Sequence, residues 1–131
     1  MPKRYVIKKF EEIKESPQPS GLVLRLVGMS LDARYVAMSM AILKPGQGIE
    51  LHTHETSEEI YVLAKGRSQL LVDNETHDVE AVTAARFLPG TMYGVNNNSK
   101  EDALWFFIGA PIDEYLDIYK RKFGYTLPNP N

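Results

Sequence analysis

The sequence predicts an all-β domain, folded as an antiparallel sandwich or barrel and followed by one short helix. Nine short runs of strand-forming residues recur at near-regular spacing, and turn residues such as Pro89-Gly90 separate them. Many short strands punctuated in this way are typical of sandwiches and barrels. After Pro111 the pattern changes to apolar residues three and four positions apart, which indicates a helix. The predicted strands cover residues 22–27, 35–43, 49–54, 59–64, 68–72, 76–82, 85–88, 92–95 and 103–108.

The length of the chain suits one domain, and we predict a single domain over residues 1–131. Residues 1–20 are interpreted as a charged N-terminal arm, because the breaker cluster Ser-Pro-Gln-Pro-Ser-Gly at 16–21 separates them from the strand runs. The strand runs place the body of the barrel at residues 22–109.

The predicted C-terminal helix covers residues 111–124. Pro111 suits a first helical turn, and Gly124 suits a C-terminal stop. We expect the helix to cap or flank the barrel with its apolar face. That face carries Ile112, Tyr115, Leu116, Tyr119 and Phe123.

Composition and charge exclude several function classes. The formal net charge is −2, the sequence pI is about 5.9 and no basic stripe is present, so we expect no nucleic-acid partner. The absence of cysteine excludes disulfides, thiolate catalysis and cysteine-ligated zinc. No apolar stretch approaches the roughly 20 residues that a membrane span needs, and the first residues lack a signal-peptide run. We therefore expect a cytoplasmic protein that does not contact a membrane.

A candidate metal site lies around His52 and His54. Side chains alternate along a strand, so these two histidines share a face, with Cα atoms roughly 6–7 Å apart. Glu59 and Tyr61 share a face of the next predicted strand, and Glu59 completes a ligand set if the two strands are neighbours. Two imidazoles and one carboxylate suit iron, manganese, nickel, cobalt or zinc. Taken alone, the His-x-His pattern also fits a solvated face that Glu50 extends.

The surrounding spacing resembles the first motif of the cupin superfamily. That motif is a Gly, five residues, His-x-His, three or four residues, Glu, six residues and Gly. Five positions of this chain fall in register, namely Gly46, His52, His54, Glu59 and Gly66. The resemblance implies a small double-stranded β-helix, a cupin or jelly-roll barrel, with a divalent transition metal held by His52, His54 and Glu59.

The second cupin motif is degraded in this chain. Aligned on Gly90, the pattern also matches at Asn97, but Val82 and Leu88 replace its first Gly and its Pro. Tyr93 stands where the family usually has its fourth metal ligand, a His. Tyr93 is therefore a candidate phenolate ligand, a candidate general acid or base beside an open coordination position, or an aromatic residue that lines the interior.

The resemblance leaves the activity open, because this fold supports many chemistries. The leading hypothesis is a metal-dependent oxygenase, isomerase or lyase acting on a small polar metabolite, with Tyr93, Tyr61 or Glu58 moving protons. The Glu-x-Tyr pattern at Tyr61 is similar to that of cupin lyases that cleave a sulfonium-containing acid. The alternatives are a non-catalytic cupin that binds a small ligand and a barrel whose metal site has decayed.

We also expect a homodimer. The resemblance implies it, because cupins are often dimeric. The N-terminal arm supports it, because Tyr5, Val6, Ile7 and Phe10 are apolar for a free tail. Such a segment can add an edge strand to a neighbouring barrel and so protect an exposed sheet edge.

Overall fold

The computed structural model describes residues 4–129, which form two antiparallel sheets and a C-terminal helix. The strands are β1 Glu15–Pro17, β2 Val23–Arg25, β3 Ala37–Leu43, β4 Gly48–His52, β5 Glu58–Lys65, β6 Arg67–Val72, β7 Glu75–Glu80, β8 Thr83–Phe87, β9 Tyr93–Asn96 and β10 Ala103–Ala110. The α-helices are α1 Val27–Ser30 and α2 Asp113–Phe123, and a 3₁₀ turn spans Phe10–Glu12. In the part of the chain that is described, neither α-helix is long and apolar enough to cross a membrane.

The two sheets face each other and form a double-stranded β-helix, which confirms the predicted all-β class. One sheet has six strands in the order β1-β2-β3-β10-β5-β8, and the other has four in the order β4-β9-β6-β7. Several neighbouring strands, such as β3 and β10 or β4 and β9, are distant in sequence, and this is the crossed connectivity of a jelly roll. As a result β4 and β5, which carry the predicted metal ligands, belong to different sheets.

The core lies between the sheets and is built by the inward positions of alternating strands. Burial alternates along β10, so Ala103, Trp105 and Phe107 point inward while the residues between them are partly exposed. Trp105 is completely buried, and its indole N–H donates a hydrogen bond of 3.0 Å to the Ser68 hydroxyl. This bond joins β10 of one sheet to β6 of the other and satisfies a polar group that burial would otherwise leave unpaired.

Two residues of the cupin motifs have structural roles. Gly66 sits in the tight β5–β6 turn with a φ of 88°, a left-handed conformation that favours glycine. Asn97 is fully buried, and its side-chain amide donates hydrogen bonds of 2.8 Å to the carbonyls of Leu43 and Glu101. Its side-chain oxygen accepts from the backbone N–H and the hydroxyl of Ser99. Asn97 therefore fixes the loop between β9 and β10.

The structure differs from the predicted boundaries near the N-terminus. Part of the predicted arm belongs to the barrel, because β1 pairs with β2 and Ser16 is buried. The predicted strand at 22–27 is shorter, since β2 ends at Arg25 and Val27 begins α1. The breaker cluster thus ends β1 at Pro17, and its remaining residues, 18–21, lie in the turn between two paired strands.

Helix α2 packs beside the barrel, as expected. Tyr119 on its apolar face is buried against Leu26 and Met29, which come from the segment around α1. The helix begins at Asp113, two residues later than predicted, and Pro111 precedes it. Acidic residues occupy its first turn and basic residues its last, which is the favourable arrangement in the helix dipole.

Candidate metal centre

His52 is the last residue of β4, and one of its ring nitrogens already has a hydrogen-bond partner. Its Nδ1 lies 2.8 Å from the backbone carbonyl oxygen of Glu50. A carbonyl only accepts hydrogen bonds, so Nδ1 carries the proton and Nε2 is left with a lone pair. Outer partners of this kind fix the tautomer and the ring orientation of histidines that bind metals.

His54 lies just beyond β4 rather than inside it, which shortens the predicted strand by two residues. Its Nε2 is 3.1 Å from Glu59 Oε1, and its Nδ1 is 3.2 Å from Glu114 Oε2. Its pKa is raised because the hydrogen bond to Glu59 outweighs partial desolvation, and the charge of Glu59 and the contacts with Glu114 add to the effect. The imidazole thus bridges two carboxylates.

Glu59 lies on the inward face of β5 and is only 5% exposed. Besides His54, its Oε1 accepts a hydrogen bond from the Tyr115 hydroxyl of α2. Tyr115 reaches this oxygen by passing over Gly109, the residue paired with Glu59 across β10 and β5. A Cβ atom at Gly109 would lie 2.7 Å from Tyr115 Cζ, so only glycine leaves room for the ring.

The three predicted ligands converge. One ligand atom from each of His52, His54 and Glu59 lies within 4.8 Å of the other two. The sequence analysis expected Glu59 to complete the ligand set if β4 and β5 were neighbouring strands. In the structure the two strands are not paired, because they belong to different sheets that face each other across the barrel. Two imidazoles and a carboxylate form a donor set that suits a divalent transition metal, and their placement fits such an ion.

The buried hydroxyl of Tyr93 also fits a bound ion or ligand. Tyr93 is 2% exposed, its ring centroid is 4.6 Å from that of His52, and its hydroxyl has no hydrogen-bond partner among residues 4–129. An unpaired buried hydroxyl costs roughly 1–3 kcal/mol. Burial, with a further contribution from the charge of Glu59, raises the pKa of Tyr93 well above its ordinary value.

Tyr93 and Tyr61 belong to an aromatic cluster beside the ligands. The Tyr93 ring stacks on Phe87 at 4.0 Å between centroids, and Tyr61 meets Tyr93 edge to face at 5.4 Å. Tyr61 is buried too, and burial together with the charge of Glu59 raises its pKa. Both phenols are therefore packed in the core beside the candidate ligands, with pKa values above the ordinary one.

Three other acidic or histidine side chains lie apart from this cluster. Glu58 is exposed on the face of β5 opposite to Glu59, which does not suit the proton-transfer role expected for it. The Glu50 side chain is exposed, and only its backbone carbonyl serves the site. His77 is exposed on β7 and pairs with Glu75 at 2.9 Å.

Glu114 and Tyr115 are the functional candidates that the sequence analysis missed. One Glu114 oxygen accepts hydrogen bonds from the Thr56 N–H, the Thr56 hydroxyl and the Ser57 N–H, and the other meets His54. Although desolvation acts to raise it, these hydrogen bonds, led by those from Thr56, lower the pKa of Glu114 to about 2. Glu114 therefore joins α2 to the 53–57 loop that carries His54.

A cavity of about 360 Å³ adjoins the three ligands, between the six-stranded sheet and α2. Its volume falls within the usual range for small-molecule sites. Most of its wall is apolar, with Leu24 from β2, Phe107 from β10 and Ile118 from α2 among the lining residues. Polar side chains also line the cavity, among them Gln18 and Ser39.

The fold and the donor set define a small β-barrel protein whose candidate metal site adjoins an interior cavity. Residues 39–109, more than half of the chain, match the cupin domain family. The protein therefore belongs to the cupin family.

Comparisons with individual proteins agree with this family. An uncharacterized protein from Methanocaldococcus jannaschii is 34% identical over 61 residues, which are 47% of this chain and 49% of that protein. The chain thus spans about half the length of this curated relative, and it covers 60% of a structural match from Acidithiobacillus ferrooxidans.

Two further structures show the same fold at low identity. The structure of KdgF from Halomonas sp. has a TM-score of 0.68 at 18% identity and covers 81% of this chain and 95% of that one. A sugar phosphate isomerase from Silicibacter pomeroyi has a TM-score of 0.67 at 17% identity, and the match covers 78% of this chain and 73% of that one. Likenesses at this level of identity establish the barrel and leave the reaction to the site itself.

Proposed function

We propose that this cupin is a metal-dependent enzyme that holds iron, manganese, nickel or zinc and acts on a small molecule in the adjoining cavity. The observation that carries the proposal is the convergence of His52, His54 and Glu59, whose ligand atoms lie within 4.8 Å of one another. Both histidines are oriented by hydrogen bonds from Nδ1, as metal-bound imidazoles usually are. The sugar phosphate isomerase named above supports catalysis only by analogy of fold.

A divalent ion at these three residues supplies Lewis-acid or oxygen-activating chemistry, depending on its identity. The chain's own residues hold and orient the groups around it. Tyr115 holds Glu59 by its hydroxyl, and Glu114 holds His54. We assign proton donation to the Tyr93 hydroxyl, because it is buried beside His52 and has no hydrogen-bond partner among residues 4–129.

Metal content tests the proposal most directly. Mass spectrometry on untagged wild-type protein is expected to find about one transition metal ion per chain. The double variant His52→Ala, His54→Ala is expected to lose it. His77→Ala is the matched control, because it removes the remaining histidine, which is exposed and distant in the fold. Wild-type protein that takes up none of iron, manganese, nickel or zinc would contradict the proposal.

The second candidate function is a non-catalytic cupin that binds a small ligand. It is favoured by Tyr93, a phenol where the cupin pattern has a His as its fourth ligand, because three ligands hold a metal less tightly than four. A sensor or carrier of this kind gains stability from its ligand without converting it, by about 2.7 kcal/mol at a hundredfold excess over Kd. If the metal-loaded protein converts a ligand that stabilises it, the enzyme proposal is supported and the non-catalytic candidate is contradicted.

We also propose a homodimer. The outward face of the six-stranded sheet supports it, because Phe106 lies there and Ile42 and Ile60 on the same face are exposed. Tyr5 and Ile7 of the arm are exposed as well. Light scattering at micromolar concentration is expected to give twice the chain mass, and Ile60→Glu is expected to halve it. A monomeric wild type would contradict this proposal.

A further inference from the structure

The wall of the cavity is mainly apolar, and His52, His54 and Glu59 are among its lining residues. Other lining residues come from β2, β3, β4 and β10, from α2 and from the turn before β2, with Gln18 and Ser39 among the polar ones. Buried polar groups that converge at one point fix the orientation of a ligand, whereas apolar walls determine how much of its body can be desolvated.

The apolar wall is formed by side chains that α2 and the six-stranded sheet bring together. Helix α2 contributes its apolar face, which also packs on residues around α1 and is therefore fixed in position. The strands contribute side chains from their inward positions. The residues that matter here are Leu24, Ala37, Phe107, Ile118 and Phe123.

The charges of the lining argue against a strongly anionic ligand. Apart from the three candidate ligands, the charged residues that line the cavity are Glu50 and Lys122. Both are exposed, and no arginine is among the lining residues within the described part of the chain. Phosphate groups in proteins are usually met by arginine forks, clustered lysines or helix N-termini. A single exposed lysine leaves a phosphorylated sugar without those partners.

We infer that the ligand is an amphiphilic small molecule, with an aliphatic or aromatic body in the apolar wall and one oxygen-bearing head group at His52, His54 and Glu59. The head group is a carboxylate, a hydroxy-ketone or a vicinal diol, all of which offer oxygen donors to a divalent ion. This inference rests on the proposed metal site, which binds the head group of the ligand. It replaces the polar substrate class that the sequence suggests. It also excludes sugar phosphates as the substrates of this chain.

A pair of hydroxamic acids tests the apolar wall separately from the metal. Acetohydroxamic and benzohydroxamic acid present the same chelating group, and they differ by a methyl against a phenyl group. Calorimetric titration into zinc-loaded protein is expected to give a Kd at least about tenfold lower for the phenyl compound, because the ring leaves water. Glucose 6-phosphate in the same assay is expected to bind more weakly than benzoate.

Variants on α2 locate the effect. Ile118→Asn is expected to reduce the ratio of the two Kd values to about twofold or less, because it places an amide in the apolar wall. Asp117→Asn introduces the same side chain on the exposed side of α2 and is expected to leave the ratio unchanged. Metal content and thermal unfolding of both variants show whether each retains the fold.

The outcomes separate the two proposals. Equal Kd values for the two hydroxamic acids on zinc-loaded protein would overturn the amphiphilic ligand and leave the metal site standing. A chain that binds no metal would overturn the metal proposal, and the comparison is then made with benzoate and acetate on metal-free protein. Tighter binding of benzoate there supports the apolar site, and equal or weaker binding overturns it.

Discussion

Gly109 gives the Tyr115 hydroxyl room to reach the Glu59 carboxylate, and an alanine at this position is expected to break that contact. An added Cβ would lie 2.7 Å from Tyr115 Cζ and 2.9 Å from Cε2. The ring must then retreat by about 0.8 Å or more to reach an ordinary contact distance. The backbone of β10 accepts alanine, so the clash falls on the movable end of Tyr115 rather than on the strand.

The lost hydrogen bond has a magnitude that can be measured. A hydrogen bond to a charged group contributes about 1.5–3 kcal/mol, so Gly109→Ala is expected to lower the free energy of unfolding by this amount in urea. Because Tyr115 orients a candidate metal ligand, metal affinity is expected to fall about 10- to 100-fold. Tyr115→Phe removes the hydroxyl without the clash and is expected to give the same two effects.

The double variant provides the decisive comparison. If Gly109→Ala acts through the Tyr115 hydroxyl, combining it with Tyr115→Phe adds little to either single change, because the shared interaction is already lost. Fully additive effects on metal affinity would refute the reasoning, since Gly109 would then act by another route. Unchanged metal affinity in both single variants would refute the role of Tyr115 as a positioning residue for Glu59.

Three further outcomes follow from other contacts. Glu114→Ala is expected to speed amide hydrogen exchange at Thr56 and Ser57, whose N–H groups lose their acceptor, and unchanged exchange would contradict the link between α2 and this loop. Burial, with the charge of Glu59, raises the pKa of Tyr119 from 10.0 to about 12. The contribution of protonated Tyr119 to stability is therefore fully present below pH 10 and is lost as the pH rises through 12. The free energy of unfolding in urea is expected to decline across that range, and Tyr119→Phe is expected to flatten the decline. Asn97→Ala is expected to cost about 2–4 kcal/mol in the same assay, because two buried carbonyls lose their donor.

The metal ligands were predictable because they depend on local spacing. His52, His54 and Glu59 fall within eight residues, and the motif glycines on either side fix the turns that bound their strands. Strand alternation correctly placed Glu59 and Tyr61 on one face of β5 and Ile60 on the other. The convergence of His52 and His54 survives the early end of β4, since their rings remain 5.2 Å apart.

The relation between strands was harder to predict, because local patterns do not identify hydrogen-bonding partners. The sequence left open whether β4 and β5 are neighbours, and in the structure β4 pairs with β9 while β5 pairs with β8 and β10. Glu59 therefore faces the histidines across the barrel, where its carboxylate also comes within reach of α2. The same limit applies to the N-terminal arm, where β1 is too short to stand out from its breaker residues.

Glu114 and Tyr115 could not be assigned to the site from the sequence, although both were visible in it. Each has a sufficient local explanation, because an acidic residue in a first helical turn suits the helix dipole and a tyrosine on an apolar helix face suits packing. Their second role depends on contacts 56 to 60 residues away in the chain. One residue indicates that a further group approaches Glu59. Gly109 pairs with Glu59 across β10 and β5, and because it has no side chain it leaves space there for another residue. The candidate site is thus a local motif completed by a distant helix. The affinity and exchange measurements on Gly109, Tyr115 and Glu114 variants address the contribution of that helix.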